Sequence, residues 1–340
     1  MSFRLENKET LSFGLKRISL ELIDKSIFNL SKGNGSFNED VHDTRKNFKK
    51  IRTVLRLVRS NLGSQQFNSE NLFYRDAGRK LSDLRDSKVL INTFDKLIKT
   101  SEFETSEYDF SYFKNFLLEK HKNISITKHK KSALISSIST DLILERSHVF
   151  DWTFTGDDFI IIKKDLKRIY RQGQNMMYAV FNESIKENVH EWRKRTKDLW
   201  HSMRILNNIW PEIMNPLASL LEELSYSLGD ANDLFLLKEK IISSEFNLKD
   251  KSHTKDLINF IDKRIIDSLR DARYIGRKIY SENSKYFVGR IQNYFEIWRS
   301  EYSPLKYSSI WNQFKRIRWT QFLREIGLNL VVINTKNEIG

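Results

Sequence analysis

Two stretches of the chain gather side chains suited to gripping an anion. In VHDTRKNFKKIRTVLR, residues 41–56, His42, Arg45, Lys46, Lys49, Arg52 and Arg56 recur at three- and four-residue spacing. In VHEWRKRTKDLWHSMR, residues 189–204, His190, Arg193, Lys194, Lys197, His201 and Arg204 repeat the design 148 positions later. On a helix turning about 100° per residue, the first set falls within roughly a third of the circumference, and the second set follows the same line. Phe48, Ile51, Leu55, Val58 and Leu62, with Val54 nearby, lie opposite the first set. Trp192, Leu199, Met203 and Leu206 back the second. Each helix thus has an apolar face for a core and a cationic face for something else. Like charges at these spacings cost a helix about 0.2–0.5 kcal/mol per pair, and no acid interrupts the stripe. The residue types suit phosphate oxygens: Arg offers a planar fork, Lys a point charge, and His a donor that strengthens on protonation. A merely solvated basic face is the plain alternative. A second copy in the same register argues against it.

The elements that must position these rows are helices. All three prolines lie beyond residue 210 and glycines are few, so the chain reads as all-α. The periodicity predicts helices near 5–32, 37–61, 68–101, 106–140, 158–183, 185–209, 212–246 and 251–284. Both basic stretches begin alike, with Ser36 and Glu39 in the first and Ser184 and Glu187 in the second, the spacing of a capping box. LSDLRDSKVL (81–90) matches LGDANDLFLL (228–237), and LKRI occurs at both 15–18 and 166–169. Three matches in one order at nearly one displacement indicate an internal duplication of about 150 residues, four helices per half. The expected organisation is a first half over 1–150, a second over 151–300, and an extension over 301–340. The repeated motif sets Asp83 and Asp86, and Asp230 and Asp233, at i,i+3. These carboxylates either orient the Arg and His rows or make ordinary interhelical ion pairs. Arg75 and Arg79 share the face of Asp83 and Asp86.

Totals narrow the function. Lys and Arg number 58 against 44 Asp and Glu, a formal charge of +14, which favours a polyanionic partner such as nucleic acid, a phosphate polymer or an anionic membrane. Without cysteine there is no disulfide, thiolate metal site or Cys nucleophile. No apolar run reaches the roughly 18 residues of a membrane span. The opening residues lack the pattern of a secretion signal, so a soluble intracellular protein is expected. No phosphate-binding glycine loop, nucleophile elbow or zinc-protease motif occurs; a phosphatase acting on polyphosphate through His and Asp pairs is the lesser alternative, and neither catalysis nor a cofactor is expected. A metal site is not expected either. His190 and His201 stand about 16 Å apart along one helix, and cations around His42 and His190 would repel a metal. Nucleic acid is the main alternative ligand. However, Phe48 and Trp192 sit on core faces, leaving no evident platform for stacking bases.

Taken in order, His-x-x-Arg with clustered Lys and Arg, LSDLRDSKVL, HEWRKRTKDLW and LGDANDL resemble the CHAD family, the conserved histidine α-helical domain. The likeness runs from about Leu15 to Trp298, with ARYIGRKIYSENSKYFVGRIQNYFEIW (272–298) similar to that family's closing helix. The resemblance implies two four-helix bundles related by a pseudo-twofold axis, and binding of inorganic polyphosphate by basic residues beside that axis. It implies binding roles for His42, Arg45, Lys49, Lys50 and Arg52, and for His190, Arg193, Lys197 and Arg204. Lys16, Arg17, Arg168, Arg171, Arg273 and Arg277 match basic positions more loosely, and Arg79 joins the expected set. There are departures. Asp198 and Trp200 stand where the first half has Lys50 and Arg52, and Ser82 replaces the glycine kept at Gly229, so an asymmetric groove is expected. Expected partners are inorganic polyphosphate, other polyanions, and an enzyme of polyphosphate metabolism. The expected location is the cytoplasm, at polyphosphate granules. The tail YSSIWNQFKRIRWTQFLREIGLNLVVINTKNEIG (307–340) is expected to dock on the helices.

Overall fold

A computed structural model describes residues 3–32, 37–81, 86–99, 113–115, 117–119, 128–156, 158–243 and 251–301. The described residues are helical, with no strand among them. The helices are α1 (Leu11–Lys32), α2 (Phe37–Leu57), α3 (Arg59–Lys80), α4 (Asp86–Ile98) and α5 (Lys128–Phe150). They are followed by α6 (Ile160–Asn182), α7 (Lys186–Ile205), α8 (Pro211–Ile242), α9 (Lys251–Ile279) and α10 (Ser284–Glu301). A short 3-10 turn, Asn207–Ile209, joins α7 to α8.

The apolar faces read from the sequence are the faces that pack. Phe48, Ile51, Val54, Leu55 and Val58 are at most 1 % exposed, and Val189, Trp192, Leu199 and Met203 are fully buried. Full burial of such side chains stabilises by about 1.5–3 kcal/mol each, which outweighs the repulsion along the cationic faces. α2 packs on α1 and α3, and α5 packs on α1. α7 packs on α6 and α8, α8 on α9, and α10 on α6. The two groups meet where α2 touches both α6 and α7, where α3 touches α6, and where α4 touches α8. These meetings bring the two basic helices together.

Several boundaries differ from the periodicity. The helix expected to run to residue 61 ends at Leu57, and Val58 (φ −113°, ψ 12°) turns the chain into α3. Gly63 inside α3 adopts φ +74°, a conformation that favours glycine. The expected helix 68–101 is two helices, separated at Leu81 and residues beyond it that lie outside the described set. The closing segment breaks between Ile279 and Ser284. Tyr170 and Gln174 of α6 hold that turn by donating to the carbonyls of Ile279, Tyr280 and Glu282. Most of the expected helix 106–140 before residue 128, and everything after Glu301, lie outside the described residues.

The second capping box is not formed. The residue before α7 is Ile185, without a side-chain cap, and Ser184 instead donates to the Val180 carbonyl and accepts from Arg273. Ser36 of the first box lies outside the described residues.

Candidate polyanion-binding groove

Where α2 crosses α7, a cavity of about 380 Å³ opens between them. From α2 it takes Lys49, Arg52, Thr53 and Arg56; from α7 it takes residues between His190 and His201. Seven Lys and Arg side chains line it (Lys49, Arg52, Arg56, Arg193, Lys194, Arg195 and Lys197) against Glu191 and Asp198. Both acids are already engaged by cations. Asp198, 7 % exposed, takes Arg56 at 2.9 Å and Arg195 at 3.5 Å, and Glu191 takes Lys194 at 2.5 Å and Arg195 at 3.3 Å. The stripe is therefore not free of acids once folded. What the acids do is hold cations in place at the wall.

Lys197 shows the electrostatic character of the cavity. Burial, followed by the repulsion of Arg193 and Lys49, pushes its ammonium down to about 7, with only Asp233 opposing. Burial likewise lowers Arg52 to about 10, helped by Arg56, although its Nε donates to Asn71 at 3.0 Å. Cations lowered first by burial and then by cationic neighbours mark a site short of negative charge. His201, 7 % exposed, is pushed well below its ordinary value, chiefly by burial and then by Arg204 and Lys50. His190 is lowered by desolvation and by Lys194. Neither histidine, then, is predisposed to carry the charge that the sequence reading gave to its His residues. Arg193 Nε and His201 Nδ1 are buried and make no hydrogen bond among the described residues. Such groups are costly in a finished structure, and a ligand offering oxygens would satisfy them.

The repeated LGDANDL motif acts from α8. His190 Nδ1 lies 3.1 Å from Asn232 Oδ1, so the partner that orients the ring is the amide, which sequence reasoning passed over for its acidic neighbours. Asp233 stands 3.7 Å from the Arg193 guanidinium. Gly229 permits that guanidinium to pass close: a Cβ there would sit 2.9 Å from Arg193 Nη2. Asp230 and Asp233 both line a separate polar cavity with Lys96 and Arg264 rather than the groove itself, and Asp233 reaches the groove only through Arg193. Asp83 and the side chain of Asp86 lie outside the described residues.

The remaining expected residues scatter. His42, Arg45 and Lys46 lie on α2 before Lys49 and do not line the cavity, and Lys46 pairs with Asp43 at 3.3 Å. Lys50 and Arg204 leave it for the ring of Phe3, at 5.0 and 5.5 Å from the centroid, and Phe3 meets His201 edge-on at 5.8 Å. The segment bearing Phe3 is anchored by Leu5 N–H to the Ile205 carbonyl at 2.9 Å and by Asn208 Nδ2 to the Leu5 carbonyl at 2.7 Å. No sequence signal pointed to that cover. Arg17 is buried among Glu9, Glu21 and Glu6, which together hold its charge firmly. Lys16 donates to the Phe150 carbonyl at 3.0 Å, and Arg273 donates to Ser184 at 2.9 Å. Arg79 and Arg277 are exposed, Arg79 at 3.8 Å from Asp76. Arg168 and Arg171 line a different hollow, beside α3.

Fold and cavity together define an all-α protein with a basic groove between two helices. The model of the CHAD domain matches residues 31–241, more than half of the chain, and the chain belongs to that family. No curated protein matches it. The match starts at the end of α1 and stops at the end of α8, so Lys16, Arg17, Arg273 and Arg277 fall outside it. Among the described residues no helix is long and apolar enough to cross a membrane.

Proposed function

We propose that the protein binds inorganic polyphosphate, without catalysis, in the groove between α2 and α7. The observation that carries this reading is the charge balance of the cavity. Seven Lys and Arg side chains face two acids already engaged, and Lys197 is driven to about 7 by burial and cationic neighbours. Membership of the CHAD family fits a polyphosphate-related role. A phosphate polymer needs only contacts to its oxygens, which Arg forks and Lys ammonium groups supply. Phe48 and Trp192, both at most 1 % exposed, offer no surface to bases.

On this reading His190, Arg193, Lys194, Lys197 and His201 meet the polymer from α7, and Lys49, Arg52 and Arg56 from α2. Asn232 and Asp233 keep His190 and Arg193 oriented. The halves 1–150 and 151–300, which carry five described helices each rather than the four expected, are the two arms of a pseudo-twofold pair forming one binding unit, with 301–340 as an extension. The proposed setting is the cytoplasm, at polyphosphate granules, with a polyphosphate-metabolising enzyme as partner.

Competition between long-chain polyphosphate and RNA for the full chain at physiological salt tests the reading. Polyphosphate should displace bound RNA while RNA leaves bound polyphosphate in place, and both should weaken steeply with added salt. Preferential retention of RNA would transfer the groove to nucleic acid, and protein-dependent release of phosphate would make it an enzyme.

A further inference from the structure

Two lysines of α7 line the same groove and differ in one respect. Lys194 donates to Glu191 Oε1 at 2.5 Å. Lys197 is half-buried and makes no hydrogen bond or ion pair among the described residues. The carboxylates around it are committed to other cations: Asp198 to Arg56 and Arg195, Glu191 to Lys194 and Arg195, and Asp233 to Arg193. Arg193, four residues back on α7, and Lys49, on α2 across the cavity, are the cations that act on the Lys197 amine.

Burial, and then those two cations, bring that amine down to about 7. At neutral pH about half of it is uncharged, against roughly one in a few thousand for an ordinary lysine. A desolvated amine beside other cations is an activated nucleophile. The groups that disfavour its proton also attract oxyanions. Arg193 presents a guanidinium whose buried Nε has no hydrogen-bond partner, and His201 Nδ1 is unpartnered on the same helix. The cavity therefore sets a phosphate-binding surface beside a nucleophile. A reagent that joins a phosphate to an electrophilic carbonyl carbon matches both, and a cavity of about 380 Å³ has room for a small one.

We infer that Lys197 is a site of covalent acylation by small acyl phosphates, the mixed anhydrides of a carboxylic acid and phosphoric acid. Arg193 and Lys49 hold the phosphate, and the Lys197 ε-amine attacks the carbonyl carbon. A C–N bond forms as the C–O bond to phosphate breaks. Inorganic phosphate leaves with the electron pair of that bond, and the proton displaced from the amine passes to solvent. The resulting amide is uncharged, so the groove loses one of its seven Lys and Arg charges. Acylation itself needs only an anion site beside a neutral amine. Its consequence, weaker polyphosphate binding by the acylated protein, rests on the groove reading above.

The experiment incubates the unaltered full chain with acetyl phosphate, in the absence of polyphosphate, from about pH 6 to about pH 9, and follows acetylation of each lysine by peptide mass spectrometry. Near neutral pH Lys197 should react roughly tenfold faster than Lys194 and than the exposed Lys163 and Lys285, its larger neutral fraction being partly offset by the lower nucleophilicity of a weaker base. Its rate should level off above about pH 7, where an ordinary exposed amine still gains about tenfold per pH unit. Excess inorganic phosphate should slow Lys197 severalfold and leave Lys163 and Lys285 unchanged. A Lys197 rate no greater than that of the exposed pair, or one still climbing at about pH 9, would overturn the proposal by showing no poised nucleophile. A rate indifferent to inorganic phosphate would overturn it by showing that the groove does not gather the donor. Polyphosphate binding is measured separately. Acetylation of Lys197 in a protein that does not bind polyphosphate sinks the groove reading alone, and polyphosphate binding by a protein whose Lys197 stays unmodified sinks the acylation alone.

Discussion

Arg56 and Arg204 occupy corresponding places in the two basic helices, 148 residues apart in the sequence, and they do different things in the fold. Arg56 lines the groove and is pinned by Asp198 at 2.9 Å, whereas Arg204 lies over the rings of Phe3 and Trp200 at 5.5 and 5.3 Å. The same divergence separates His190, which lines the groove, from His42, which does not. Lys50 has turned to Phe3, while Asp198 in the corresponding place enters the groove. Only Lys49 and Lys197, among corresponding Lys, Arg and His positions, both line the cavity. The groove uses the later turns of α2 and the whole span of α7 from His190 to His201. Register in the sequence sets which residue types stand on a face. The crossing point of the helices decides which of them face each other.

The largest effect should come from the shared pair, and it breaks the comparison if the two lysines are equivalent. Lys49→Met and Lys197→Met remove charge while keeping the stems. A charged hydrogen bond contributes roughly 1.5–3 kcal/mol, so Lys197→Met should weaken polyphosphate binding by about ten- to a hundredfold. Lys49 is solvent-exposed, and its loss should cost only a fraction of that, since exposed charge pairs contribute about 0–1 kcal/mol. The double reversal Lys49→Glu/Lys197→Glu should abolish binding with helical content intact by circular dichroism. Equal losses from the two single variants would show that the half-buried wall of α7 has no privileged role.

Acidity offers a finer contrast. Burial, with Arg193 and Lys49 nearby, pushes Lys197 down to about 7 from an ordinary value of 10.5. Between those values the unfolded chain binds the extra proton, so Lys197 makes the fold more stable as pH rises through this window and less stable as it falls. A phosphate oxygen reverses the preference by restoring the charge. Binding should therefore take up a proton and weaken as pH climbs from about 7 to about 9. Calorimetry in buffers of different ionisation enthalpy measures that uptake, and Lys197→Met should remove it. The histidines contribute little in this range, because His190 and His201 are already held below their ordinary value. A pH response persisting in Lys197→Met and centred near 6 would return the role to them.

Much of this was legible in the residues. Strong 3.6-residue periodicity fixes which face of α2 and α7 is core, because every apolar position on it must find cover. Residue type alone singles out Lys49, Lys197 and Arg193 as candidates, and the fold puts all three on the cavity, whereas His42, Arg45 and Lys46, picked on the same ground, do not line it. Three features are written in tertiary contacts and leave little local trace. The turn at Val58 falls within an apolar run that continues the helical period, and is settled by how α3 packs on α6. Phe3 reads as an isolated apolar residue until the Leu5 backbone bonds to Ile205. Asn232 hides among acids in LGDANDL, where the carboxylates look like the orienting groups. Arg17 illustrates the converse. Its partners Glu9 and Glu21 are close in sequence, at spacings that equally suit a solvated face.

The smallest expected effect tests whether Gly229 distinguishes the second motif, where Ser82 stands in the first. A Cβ at residue 229 would come within 2.9 Å of Arg193 Nη2 and 3.1 Å of Cζ, the far end of a flexible side chain rather than a backbone atom. Gly229→Ala should therefore leave stability nearly unchanged, since helical Ala is favoured over Gly by roughly 0.5–1 kcal/mol and this offsets the crowding. The guanidinium must swing away from Asp233, which it now faces at 3.7 Å, and lose its set position in the groove. Polyphosphate affinity should drop by a few fold, with Tm shifting by no more than about a degree or two. Gly229→Ala in an Arg193→Met background should then have no further effect on affinity. An additive loss would mean that the glycine serves the packing of α8 against α7 and that Arg193 owes its position to something else.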